Sequence, residues 1–133
     1  MSTATGILRK EHDTILGALE DAEDVARLLD CGQRVAPEKL TGLVEFFQVF
    51  TERGHVGKEE TLLFPLLEKK GLPQAGGPIG LILAEHERGR LLLRHLEEVT
   101  QDYGRGASEA AHRWAETARS YTAKMRFHIT TEN

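Results

Sequence analysis

The stretch IGLILAEHERGRLLLRHLEEVTQDY, residues 79–103, carries the reading on which the fold turns. Within it Ile79, Ile82, His86, Gly89, Leu93, Leu96, Thr100 and Tyr103 advance in alternating steps of three and four, the spacing of one face of an α-helix. Among these seam positions stands a histidine. A polar ring on a seam bound for the core needs a polar partner, so the same pattern is worth following outward along the chain.

It recurs. Before this stretch, Leu8, His12, Ile15, Leu19, Ala22, Ala26 and Leu29 keep the three–four rhythm. After it, Ala110, Trp114, Thr117, Tyr121, Met125, His128 and Glu132 do the same with one extra step of four. A less regular seam runs through Leu40, Val44, Phe47, Thr51, His55, Glu59, Leu62 and Leu66. Gly54 and Gly57 flank His55 there; interior glycines each cost a helix about 1 kcal/mol against Ala, and they loosen or bulge it locally. Pro65 is expected to end the main helix near Leu62 to Phe64, leaving residues 65–70 as a short extra turn stopped by Gly71.

Break signals divide these seams. They are Cys31-Gly32-Gln33-Arg34-Val35-Ala36-Pro37, Gly71-Leu72-Pro73-Gln74-Ala75-Gly76-Gly77-Pro78, and the weaker Tyr103-Gly104-Arg105-Gly106-Ala107-Ser108. Gly past a helix end and Pro near a helix start is the expected asymmetry. Four helical segments follow, near 5–31, 37–70, 78–103 and 107–133, with no strand alternation of useful length. Short linkers place successive helices side by side, so the expectation is an all-α, up-down-up-down antiparallel four-helix bundle. At 133 residues the chain reads as one domain, 1–133.

Composition narrows the function classes. The formal charge is −4, with Lys and Arg scattered among acids, which gives no footprint for nucleic acid or an anionic membrane surface. No apolar run approaches the roughly 18 residues of a membrane span. The N-terminal MSTATGILRKEHD lacks the basic stretch and apolar core of a signal peptide, and Cys31 stands alone; both fit a cytoplasmic location.

The chemistry lies in the histidines. Of six, His12, His55, His86 and His128 fall on the four seams. Two are followed one turn later by a glutamate, His55 by Glu59 and His128 by Glu132, so each pair can face one point. Counting from the turns tests whether they share a layer. His12 lies 19 residues before Cys31 and His55 lies 18 after Pro37; His86 lies 17 before Tyr103 and His128 lies 21 after Ala107. At about 1.5 Å per residue the first pair matches within ~2 Å and the second within ~6 Å. Core-facing His and Glu from all four helices in one slab is the construction of a buried two-metal site. Two buried carboxylates without counter-charge would each cost several kcal/mol, which divalent cations would offset.

Other polar residues read more plainly. His95 and His112 lie beside the seams and are expected to face solvent. Glu60 points about 100° from Glu59 and is at best an outer or alternative ligand. Glu11 and Glu85 read as surface charges, and Glu20, Asp21, Glu23 and Asp24 as a solvated face. Tyr121 shares the seam of His128 and either offers a hydroxyl near the site or is core. Phe46, Phe50 and Leu92 are candidates to cover a groove or a dimer contact.

Together these stretches resemble the hemerythrin-like family of HHE cation-binding domains. The matching segments are Glu11-His12-Asp13; His55-Val56-Gly57-Lys58-Glu59-Glu60 with Leu63-Phe64-Pro65; Glu85-His86-Glu87 with Arg90; and His128-Ile129-Thr130-Thr131-Glu132. The resemblance implies two iron ions, oxo- or hydroxo-bridged, with manganese or zinc as alternatives. By it, His12 and His55 would bind one metal, His86 and His128 the other, and Glu59 and Glu132 would bridge them. Oxygen-carrying members have a further histidine one turn along the third helix; here those positions are Ile82 and Arg90, which leaves an open or water-filled position at each metal. Members usually continue past the last glutamate with another Leu-Phe-Pro-like segment, whereas this chain stops at Asn133, leaving Glu132 in a final turn.

The leading expectation is a di-iron protein that binds or responds to a small oxidant (oxygen, peroxide or nitric oxide) or handles iron. An iron-responsive interaction domain, a di-metal hydrolase using a metal-activated hydroxide, a zinc-bound structural bundle and a metal-free bundle are the alternatives. Whether the chain is an enzyme, and whether it has a protein partner or forms oligomers, stays open.

Overall fold

A computed structural model describes residues 3–71, 77–107 and 109–132, with side chains described at 10–61, 65, 66, 69–71, 80–107 and 109–130. The first helix, α1 (Thr3–Asp30), stops where the sequence places glycine. Gly32 takes φ +81, the Gly32 N–H donates to the Leu29 carbonyl at 3.1 Å, and the Gln33 N–H donates to the Leu28 carbonyl at 3.0 Å. This is a Schellman turn, which needs a left-handed residue that only glycine adopts without steric cost.

The second helical run opens at Pro37, after the extended residue Ala36. It begins as α2 (Pro37–Phe46), widens into π1 (Phe47–Val56) and π2 (Glu59–Leu63), and finishes as α3 (Phe64–Lys69). The Gly57 N–H donates to the Glu52 carbonyl, five residues back, as a π-helix requires. The irregular seam explains the widening. Phe47, Thr51, His55 and Glu59 step by four each time, and in an α-helix each such step drifts about 40°, or ~120° over three. The wider π turn holds all four on one face, and all four are buried. Gly54 and Gly57 lie where the bulge was expected. The change of helix type at Phe64, one residue before Pro65, matches the expected short terminal turn, but Leu66 is exposed and does not continue the seam.

The third and fourth runs are α4 (Gly77–Gly104) and α5 (Ala110–Glu132). A second Schellman turn ends α4: Gly106 has φ +80, with its N–H on the Tyr103 carbonyl at 3.0 Å and the Ala107 N–H on the Asp102 carbonyl at 3.0 Å. Tyr103 also ties two linkers together, its hydroxyl donating to the Val35 carbonyl at 2.6 Å and accepting from the Val35 N–H at 3.1 Å. The described residues form a four-helix bundle without strands. Its core is built from Ile15, Leu19, Leu40, Phe47, Leu96, Trp114 and their neighbours, inside the seams read from sequence. Two polar seam residues are satisfied together: Trp114 Nε1 donates to Thr100 Oγ1 at 2.9 Å, and that hydroxyl donates to the Leu96 carbonyl at 2.7 Å. Among the described residues no helix is long and apolar enough to cross a membrane.

Candidate metal centre

Each helical run brings a histidine to one buried layer. His12 comes from α1, His55 from π1, His86 from α4 and His128 from α5, and all are buried. Glu59, with no solvent exposure, stands between them. Its Oε1 lies 3.0 Å from His86 Nε2 and 3.2 Å from His128 Nε2, while its Oε2 lies 3.8 Å from His55 Nε2. His12 Nε2 is 3.1 Å from His55 Nε2. The rings pair edge to face, His12 with His55 at 4.7 Å between centroids and His86 with His128 at 5.0 Å. One carboxylate thus spans two imidazole pairs. Ligand atoms of His55, Glu59 and His128 all lie within 4.8 Å of one another.

The outer nitrogens are held by carboxylates. Glu11 Oε1 sits 3.0 Å from His55 Nδ1, and Lys58 donates to the other oxygen of Glu11. Glu60 Oε2 sits 2.9 Å from His86 Nδ1, and Arg90 donates to both Glu60 oxygens at 3.0 Å. Burial raises each of these carboxyl groups, but hydrogen bonds from Lys58 and His55 outweigh it at Glu11, as those from His86 and Arg90 do at Glu60. Both groups therefore stay below their usual range. An ionised carboxylate only accepts, so it assigns the proton to Nδ1 of His55 and His86 and turns a lone pair on Nε2 inward.

That assignment tests the fit to a metal. In its neutral form His86 then sets a lone pair against the Glu59 carboxylate at 3.0 Å, a repulsive contact unless a positive charge lies between them. Glu59 Oε2 is buried and has no hydrogen-bond partner among the described residues. Imidazole and carboxylate donors of this kind suit iron, manganese or zinc. The residues present fit a cation.

Of the sequence-predicted ligands, His12, His55, Glu59, His86 and His128 are brought together; the side chain of Glu132, at the end of α5, lies outside the described residues. His95 and His112 are exposed, as expected. Glu60 takes the outer position anticipated for it. Glu11 is a correction: it is no surface charge but the partner that orients His55 across a helix interface. Glu85 is half-buried and lies 3.6 Å from Lys124. Arg90, one turn beyond His86 on α4, is engaged with Glu60.

One buried acid escaped the sequence reading. Glu52 accepts a hydrogen bond at Oε2 from the fully buried Tyr121 hydroxyl, 2.9 Å away. Burial pushes the Glu52 carboxyl up, against the bond from Tyr121 and the charge of Lys124. Burial and the neighbouring Glu52 push the Tyr121 phenol well above its usual value. Glu52 stands three residues before His55, four before Val56 and seven before Glu59, the spacing of one helix face, and all four are buried, so the signal that could have found it was this second register beside the steps of four.

A four-helix bundle enclosing a His/Glu cluster of this composition defines a metal-binding bundle. The chain belongs to the hemerythrin HHE cation-binding domain family, whose model matches residues 3–133. Comparison with curated proteins and with solved structures returned no match.

Proposed function

We propose that this cation-binding domain is a non-haem di-iron protein that binds or responds to a small oxidant: oxygen, peroxide or nitric oxide. In this reading His12 and His55 hold one iron, His86 and His128 hold the other, and Glu59 and Glu132 lie between them. The observation that carries it is Glu59, a buried carboxylate facing histidines of both pairs, with one oxygen lacking a hydrogen-bond donor among the described residues.

Iron bound there would supply electron exchange with the oxidant. The chain's own residues do the rest. Glu11 with Lys58, and Glu60 with Arg90, hold two imidazoles in the tautomer that turns Nε2 inward. Burial of the five side chains excludes bulk water, which strengthens charge interactions inside. With Arg90 engaged by Glu60 and an isoleucine at position 82, neither flanking position on α4 offers a further imidazole, which supports room for a small ligand.

Elemental analysis after loading with ferrous iron under anaerobic conditions tests the first half: close to two irons per chain is expected. Mixing that protein with peroxide or oxygen tests the second: a ligand-to-metal charge-transfer spectrum should develop. A colourless, unchanged protein would overturn the proposal.

A further inference from the structure

We propose that Tyr121 is a redox-active residue whose phenol gives an electron toward the metal centre while its proton passes to Glu52, which exchanges it with solvent. The inference deepens the function proposed above and rests on its reading of the site as a centre that meets an oxidant.

Tyr121 is a fully buried phenol with a base already in place. Its hydroxyl donates to Glu52 Oε2 at 2.9 Å, and its ring packs at 5.0 Å against Phe47. The second oxygen of Glu52 is buried and has no hydrogen-bond partner among the described residues. Glu52 also lines a cleft of about 400 Å³ open to solvent, together with Arg53, Arg90, Leu93 and Arg94. Glu52 therefore has the phenol on one side and a solvent-open cleft on the other.

Both partners sit on helices that carry a histidine of the cluster. Tyr121 precedes His128 by seven residues on α5, about 10 Å along the axis, and Glu52 precedes His55 by three on π1. Electrons cross such a separation by tunnelling, whereas a proton moves only along the hydrogen bond.

Removing an electron alone would leave a cationic phenol in the core, which a low-dielectric interior strongly disfavours. Moving the proton to Glu52 in the same step converts a phenol and a carboxylate into a neutral phenoxyl radical and a neutral carboxylic acid. The step thus leaves no cationic phenol in the core, and Lys124, whose charge acts on Glu52, keeps Glu85 3.6 Å away. Burial raises both groups, so the phenol keeps its proton until the electron leaves.

With hydrogen peroxide as oxidant the chemistry balances. The Tyr121 O–H bond breaks, an O–H bond forms on Glu52, and one electron leaves. Peroxide takes two electrons and two protons, its O–O bond breaks, and two waters form; Tyr121 would supply one electron and one proton, ferrous iron at the centre the other electron, and solvent the second proton. The Tyr121 proton reaches bulk solvent from Glu52 through the cleft.

The test is electron paramagnetic resonance on the ferrous-loaded full chain, frozen rapidly after mixing with hydrogen peroxide. An organic radical signal is expected, altered by ring-deuterated tyrosine, lost in Tyr121→Phe and kept in Tyr103→Phe. The chain has only these two tyrosines. If Tyr121→Phe does not fold, ring deuteration in the Tyr103→Phe chain assigns the signal without it. A second arm needs no iron: zinc-loaded protein is oxidised by flash-generated tris(bipyridine)ruthenium(III). Phenoxyl formation there should slow in deuterium oxide and fall about a hundredfold in Glu52→Gln. A charge-transfer spectrum without a Tyr121 radical overturns this inference and leaves the iron reading standing. No iron uptake overturns that reading, and the ruthenium arm then decides on Tyr121: equal rates in Glu52→Gln, with no deuterium effect, would sink the proposal.

Discussion

Glu11 Oε1 lies 3.0 Å from Nδ1 of His55, joining the residue before one cluster histidine to the outer nitrogen of another across two helices. Glu60 repeats the arrangement: it follows Glu59 directly and holds His86 of α4 at 2.9 Å. Each outer carboxylate is thus a chain neighbour of one cluster residue and a spatial partner of another. The two contacts lock neighbouring helices at the level of the cluster, and each is backed by a cation, Lys58 for Glu11 and Arg90 for Glu60.

Removing these outer contacts should weaken metal binding without abolishing the fold. Glu11→Ala and Glu60→Ala are each expected to lower affinity about 10- to 100-fold, the usual cost of losing a carboxylate behind a ligating imidazole. Competition with a chromophoric chelator measures it. Unchanged affinity in both variants would show that the imidazoles are oriented by packing alone.

Glu59 should behave oppositely with and without metal. A buried carboxylate facing imidazole lone pairs is a poor contributor to stability, so Glu59→Leu is expected to leave the metal-free protein as stable or raise it by about 1–3 kcal/mol. The same change should remove most of the metal capacity. Urea denaturation of metal-free protein, paired with elemental analysis, reads both. A large loss of metal-free stability would mean that Glu59 serves the fold first.

Acid should act through the outer carboxylates. Glu60 is held below its ordinary value of 4.5: burial raises it, and the hydrogen bonds from His86 and Arg90 more than reverse that. A depressed carboxyl group contributes stability that is complete above its unfolded value and is lost as pH falls from 4.5 through the lower folded value. Glu60→Gln should therefore flatten the stability–pH curve of the metal-free protein below that point and leave its slope near neutrality alone. Denaturant midpoints across the acid range check this, and an unaltered acid slope would contradict it.

The far side of the bundle depends on ordinary packing. Trp114 is fully buried and its indole N–H is satisfied by Thr100. Trp114→Ala should cost about 3–5 kcal/mol, from lost burial and the cavity left behind. Because Trp114 lies fourteen residues before His128 on α5, iron stoichiometry in the surviving folded fraction should not change. Thermal unfolding and metal analysis together test the separation.

Much of this molecule was legible without coordinates. Helix number, the positions of the breaks and the layer shared by His12, His55, His86 and His128 follow from spacing, because a helix converts residue number directly into angle and height. The histidines stood out because imidazoles on apolar seams break a pattern. Gly54 falls inside π1 and Gly57 directly after it, although the departure from α geometry begins earlier, at Phe47.

What spacing could not show were the partners across interfaces. Glu11 looked like a surface charge because its own helix says only that it sits beside the seam; the approach of π1 makes it the support of His55. Glu52 shares a face with His55 and Glu59 by its spacing, but that its partner is the Tyr121 hydroxyl of α5 is decided only by how the helices pack. Sequence periodicity sets which face of each helix turns inward, a local property of the backbone. Which charges then meet depends on how neighbouring helices rotate and how far one is unwound. Those quantities are set by packing the whole core at once, so the ring of histidines is written in the chain, whereas which imidazole Glu11 and Glu60 each hold across a helix interface is decided only in the fold.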